Sequence, residues 1–136
     1  MLYFDYELMS TSSSHSSKSL AIALGANIPS KAGSPIDTLI AIRPILEVII
    51  CDWISSLFQE NVNISPSSKS INWQWSPLFQ TKAVGGPPNQ SDFINAVLVV
   101  DGKIMDLLEP SESAVLDLLK RTLKIERDFG RNRTQS

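Results

Sequence analysis

Histidine and cysteine are almost missing from this chain, with one of each in 136 residues. A lone Cys51 has no partner for an internal disulfide, which fits a reducing compartment and a small buried apolar role rather than a reactive thiol. His15 lies in the serine-rich stretch STSSSHSSKS (10–19), where no neighbours fix its orientation, so neither a metal ligand nor a catalytic histidine is expected there. Charge of one sign in excess is missing too: 19% of residues are charged, an ordinary share for a globular protein, and the net charge is -2. Nothing in that balance draws the chain to nucleic acid or to a membrane surface, and neither partner is expected. Long apolar runs are absent, since the most apolar stretch, 39–54, is interrupted by Arg43, Pro44, Glu47 and Asp52, which argues against a membrane span. The opening MLYFDYELMS carries acids early and lacks the basic start of a signal peptide. A cytoplasmic monomer is the expectation. No glycine-rich P-loop occurs.

What is present suits one domain with a real core. Residues 1–19 read as a flexible serine-rich extension, because the tract has little to bury. The domain then spans 20–136. LAIAL (20–24), closed by Gly25, predicts a short buried strand delivering a turn. Ser34-Pro35 opens a helix, with Asp37 near its positive end. Ile36, Leu39, Ile40, Ile50, Trp53 and Leu57 suggest its apolar face, and Pro44 is expected to kink or split it. INWQWSPLFQT (71–81) has strand composition, with Pro77 pointing to an edge position or a bulge. SDFINAVLVVDG (91–102) reads as a strand with Phe93, Asn95 and Val97 on one face and Ile94, Ala96 and Leu98 on the other. Pro110-Ser111 introduces a last helix that Gly130 is placed to end. Strand, helix, strand, strand, helix is most of an α+β, ferredoxin-like βαββα(β) core with an antiparallel sheet, lacking the final strand. That strand would lie beside the first, so LAIAL is expected at an open sheet edge.

Three segments in series, ALGAN (23–27), FQTKAVGGPPNQSDFINAV (79–97) and LLKRTLKIERDFGRNR (118–133), carry a resemblance. Together they resemble the 6-hydroxymethyl-7,8-dihydropterin pyrophosphokinase family of folate biosynthesis, with Phe-Ile-Asn-Ala-Val followed by Ile-Glu-x-x-x-Gly-Arg-x-Arg the specific part. The resemblance implies transfer of pyrophosphate from ATP to the hydroxymethyl group of the pterin, with release of AMP. It places Thr81 and Val84 along the pterin pocket, Phe93 against the flat ring and Asn95 on the ring's polar edge. It places Glu126, Arg131 and Arg133 on the ATP side, with Arg131 stabilising charge during transfer. The residue types suit those roles: an aromatic stacks on a heterocycle, an amide both donates and accepts, and guanidinium grips phosphate oxygens with two donors.

The family's magnesium is implied to sit on an Asp-x-Asp pair downstream of the Gly-Arg-x-Arg segment, and no Asp-x-Asp occurs in this sequence. No metal ligand is therefore assigned, and magnesium and ATP enter only by the resemblance. The expectation is a C-terminally truncated enzyme domain carrying the pterin pocket and the start of the ATP site. The alternative is a non-catalytic pterin-binding remnant or partner subunit.

Overall fold

Even-numbered residues of two neighbouring strands build the centre of the structure. In β2 (Lys18–Ala26) Leu20, Ile22, Leu24 and Ala26 are buried, and in β5 (Phe93–Asp101) Ala96, Leu98 and Val100 are buried. β2 and β5 pair antiparallel with Leu24 opposite Ala96 and Ile22 opposite Leu98, so period-two alternation turns all of them to one face. The computed structural model describes residues 1–10, 17–58, 63–86 and 88–130.

Against that face packs α1 (Pro35–Ser56), which contributes Leu39, Ile42, Leu46, Ile50, Trp53 and Ile54 to the same core. Its start is the one read from sequence. Asp37 N–H donates to Ser34 Oγ at 3.2 Å while Ser34 N–H donates to the Asp37 carboxylate at 3.2 Å, a reciprocal capping box. Pro44 does not split the helix, which runs unbroken from Pro35 to Ser56. Pro44 is exposed, and core residues on both sides, Leu39 and Ile42 before it and Leu46 and Ile50 after it, hold the two halves to one sheet. That burial outweighs the roughly 3 kcal/mol a helix-interior proline costs. Ile36 and Ile40, expected on the apolar face, are instead exposed.

The third helical segment, α3 (Glu112–Gly130), begins where Ala114 N–H donates to Ser111 Oγ at 3.2 Å. It buries Leu118, Thr122, Ile125 and Phe129. Between β5 and α3 a short α2 (Lys103–Asp106) follows Gly102, whose φ is +118°. A Cβ at Gly102 would stand 2.5 Å from the Ser70 carbonyl oxygen, so the turn closes only on glycine. Each of the three tryptophans has a partner for its indole N–H: Trp53 on the Ala114 carbonyl, Trp73 on the Pro66 carbonyl and Trp75 on the Glu47 carboxylate.

On the outer side of β5 the chain pairs twice, as β3 (Asn72–Trp75) and β4 (Phe79–Thr81). Trp75 lies opposite Leu98 and Phe79 opposite Asn95. Ser76 still faces Val97, accepting from its N–H at 2.9 Å and donating to its carbonyl at 2.8 Å. Pro77 and Leu78 together therefore stand opposite Ala96, a bulge of one residue on an edge, where a residue without N–H is tolerated.

The largest departure from expectation is at the beginning of the chain. Residues 1–19 were expected to be a flexible extension, yet Leu2–Ser10 forms β1, paired antiparallel along its length with β2. LAIAL consequently lies inside the sheet, not at its edge. Leu2, Phe4 and Tyr6 pack on the core side, and this apolar alternation is what anchors the strand. Residues 11–16, including His15, lie outside the described residues. Among the described residues the result is an α+β arrangement with an open antiparallel five-stranded sheet, path β1-β2-β5-β3 with β4 also on β5, and three helices. Among the described residues no helix is long and apolar enough to cross a membrane.

Burial separates two aliphatic side chains cleanly. Leu98 is 0% exposed and Ile40 is 52% exposed. Leu98→Ala should destabilise the protein by about 2–5 kcal/mol, and Ile40→Ala by less than about 0.5 kcal/mol, in urea titrations. Comparable costs for the two would mean that the even-numbered face is not the core.

Candidate functional site

Odd-numbered residues of β1, β2, β4 and β5 face away from the helices, and register arranges them in rows. Tyr3 stands opposite Gly25, Gly25 opposite Asn95, and Asn95 opposite Phe79. One step along, Phe93 stands opposite Thr81. Directly paired residues of antiparallel strands project to the same side, so these six share the uncovered face.

Asn95 is the centre of the group and only 4% exposed. Its Nδ2 donates to Thr81 Oγ1 at 2.9 Å, with longer approaches to the carbonyls of Phe79 (3.3 Å) and Phe93 (3.4 Å). Its Oδ1 accepts from the Tyr3 hydroxyl at 2.8 Å. Burial, and then the Asp5 carboxylate, raise the Tyr3 pKa, so the hydroxyl stays a donor at neutral pH. The rings of Tyr3 and Phe93 meet edge to face at 5.6 Å and 77°.

This closeness is possible because residue 25 has no side chain. A Cβ there would stand 2.3 Å from Tyr3 Cε1 and 2.7 Å from Asn95 Oδ1. The turn that follows is held by Asn27, buried at 6% exposure. Its Oδ1 accepts from the Met1 amine at 2.7 Å and its Nδ2 donates to the Ser91 carbonyl at 3.3 Å.

Glu126 comes to the same end of the sheet from α3, where its carboxylate accepts the Phe4 backbone N–H. Burial raises its pKa, and that hydrogen bond offsets part of the rise. One turn earlier Thr122 pairs with the Tyr6 hydroxyl, whose pKa is raised by burial and then by the charges of Glu126 and Asp5. Met1 to Tyr6 thus touches Asn27, Asn95, Glu126 and Thr122 in turn.

Of the residues expected at a site, the structure brings Thr81, Phe93 and Asn95 together and places Glu126 behind β1. Val84 stands apart on the loop after β4, 96% exposed. Arg131 and Arg133 lie outside the described residues. Sequence reading missed Tyr3, and also Asp5 and Glu7, an acidic pair two residues apart and exposed on the same face of β1. The signal was available in LYFDYEL, where Leu2, Phe4, Tyr6 and Leu8 alternate with Tyr3, Asp5 and Glu7. Among the described residues no three His, Cys, Asp or Glu side chains converge to hold a metal ion. Cys51, 1% exposed with its thiol pKa pushed up to about 11 by burial and then by Asp52 and Glu47, offers no nucleophile.

Two expected outcomes follow from this geometry. Gly25→Ala should destabilise the fold by about 1–3 kcal/mol, because the new methyl group has no room. The cost should shrink when Tyr3→Ala is added, and a double-mutant cycle in urea reads the coupling. For Glu126 the raised folded-state pKa means that the folded protein holds the proton more tightly than the unfolded chain. Stability therefore falls as pH rises through the window that opens at the ordinary value of 4.5. Glu126→Gln should flatten that decline in denaturation series run from about pH 4 to about pH 7. An unchanged slope would remove Glu126 from the account.

Compared with protein-family models, with curated proteins and with solved structures, the chain finds no match in any of the three.

Proposed function

We propose that this chain binds a flat, amide-bearing heterocycle of the 6-hydroxymethyl-7,8-dihydropterin type against Phe93 and Asn95. On this reading it serves pyrophosphate transfer from ATP to the ring's hydroxymethyl group in tetrahydrofolate biosynthesis. The observation that carries the reading is a buried carboxamide, Asn95, beside an aromatic ring, Phe93, and a hydroxyl, Thr81, on the sheet face that the helices leave uncovered. Asparagine is depleted in strand interiors, and a buried amide is costly unless its partners are in place. Phe93 supplies a stacking surface and Asn95 a donor–acceptor pair for the ring's polar edge.

The strand order supports the same reading. With β1 set aside, β2, α1, the bulged β3–β4 strand, β5 and α3 follow the order of a βαββα(β) ferredoxin-like core, with β5 between the other two. We read β1 as filling the edge that this topology gives to its final strand.

In the proposed transfer the hydroxymethyl oxygen bonds to the β-phosphorus of ATP and loses its proton to solvent water, while the bond from that phosphorus to the oxygen bridging to the α-phosphate breaks and AMP leaves with that oxygen. Arg131 and Arg133 are assigned to the phosphate oxygens, where guanidinium groups can neutralise developing charge. Glu126 is assigned to the nucleotide side, orienting one of those arginines. Magnesium would supply neutralisation of phosphate charge in such a reaction, and no side chain among the described residues is assigned to hold it.

Titration of the protein with 6-hydroxymethylpterin, followed by ring fluorescence, tests the pocket, and AMP release from ATP tests the transfer. Phe93→Ala should weaken ring binding by about 1–3 kcal/mol through lost stacking area. Asn95→Leu should weaken it comparably, since it leaves the ring's polar edge unpaired. Wild-type affinity in both folded variants would falsify the pocket. Ring binding without AMP release would favour the non-catalytic reading.

A further inference from the structure

We propose that β1 is a displaceable strand that latches the Asn95 surface shut, so that ring binding and full pairing of β1 exclude each other. The inference rests on the proposed ring site and names its regulation.

Tyr3 already fills the space a flat ring needs. Its hydroxyl holds Asn95 Oδ1 at 2.8 Å, its ring stands edge-on to Phe93 at 5.6 Å, and its edge occupies the recess over Gly25. Thr81 holds the other end of the carboxamide. Asn95 therefore has no free hydrogen-bonding edge while Tyr3 is in place, and a ligand that reads Asn95 must displace Tyr3. In the absence of a ligand, Tyr3 turning away would leave the buried acceptor Asn95 Oδ1 unpaired, which disfavours that rotation.

The strand is also the most weakly anchored long strand of the sheet. β2 buries Leu20, Ile22 and Leu24 completely, whereas among its described side chains β1 buries only Leu2, at 9% exposure, with Phe4 and Tyr6 half-buried and Leu8 and Met9 exposed. It is an edge strand, paired with β2 alone. Segments with few buried apolar contacts open at lower free energy than the whole protein unfolds. Its polar contacts tie it to two residues the proposed function uses, Tyr3 to Asn95 and the Phe4 N–H to Glu126, while the Met1 amine holds Asn27 in the turn after β2. Release of β1 would uncover all three in one event. A closed latch lowers apparent affinity by the fraction of molecules that are open.

A reversible cross-link in the full chain tests this. Asp5 and Ala23 are paired across β1 and β2 on the outer face, one row from Tyr3, and facing residues of antiparallel strands lie within disulfide reach. Asp5→Cys with Ala23→Cys should lock β1 when oxidised and free it when reduced. The reduced protein should bind 6-hydroxymethylpterin at least about tenfold more tightly than the oxidised one, since locking removes the open fraction. Measurable and equal affinity in the two states would overturn the latch. Hydrogen exchange supplies a readout that needs no ligand. In the reduced protein the β1 amides should exchange at least about tenfold faster than those of β5, and oxidation should slow them selectively. β1 amides as slow as those of β5 in the reduced state would also overturn it. Fast, oxidation-sensitive β1 exchange with no pterin binding in either state would support the latch and reject the pterin reading.

Discussion

Pairing between β2 and β5 is the constraint on which the rest of the structure depends. Their even-numbered side chains are pressed beneath α1, and a slip of one residue would turn that entire apolar set to solvent. Register is therefore held by burial, not by any single hydrogen bond. Once it is held, Gly25 must lie opposite Asn95, and whatever pairs on either side inherits its position. Tyr3 reaches the carboxamide from one side and Thr81 from the other because β1 and β4 are indexed to this central pair.

A buried carboxamide among apolar strands is an expensive feature to keep. Asn95 is tolerated because both ends are satisfied, by a phenol at Oδ1 and a threonine hydroxyl at Nδ2. The same satisfaction makes the group reluctant to receive anything else. Stability and reception compete for the same atoms at this point in the sheet, and the competition is settled by how firmly the first strand is held.

Much of this was legible in the sequence where local chemistry and periodicity agree. The cap at Ser34 and Asp37, the strand LAIAL, the two faces of residues 93–98 and the helix after Ser111 all follow from short-range rules. The serine tract at 10–19 obscured the alternation immediately before it, so β1 was read together with its neighbours as an extension. The split that Pro44 offered as one of two outcomes did not occur, because long-range burial on both sides of it overrides the local penalty. Phe93 and Asn95 were found as a pair because two residues apart on a strand share a face. Their connection to Tyr3 depends on a pairing across more than ninety positions, which no local pattern encodes.

The bulge at Pro77 and Leu78 bears on how this protein can change length. Upstream of it the odd-numbered Trp73 and Trp75 face the helices, and downstream the odd-numbered Phe79 and Thr81 face outward. Loss of one residue at the bulge would restore simple alternation and leave Thr81 beside Asn95. Loss of one residue between Phe79 and Thr81 would put the hydroxyl on the wrong side. Descendants of this sequence can therefore shed a residue at 77–78 without disturbing the carboxamide, while a few positions later the reading frame of the sheet admits no such drift.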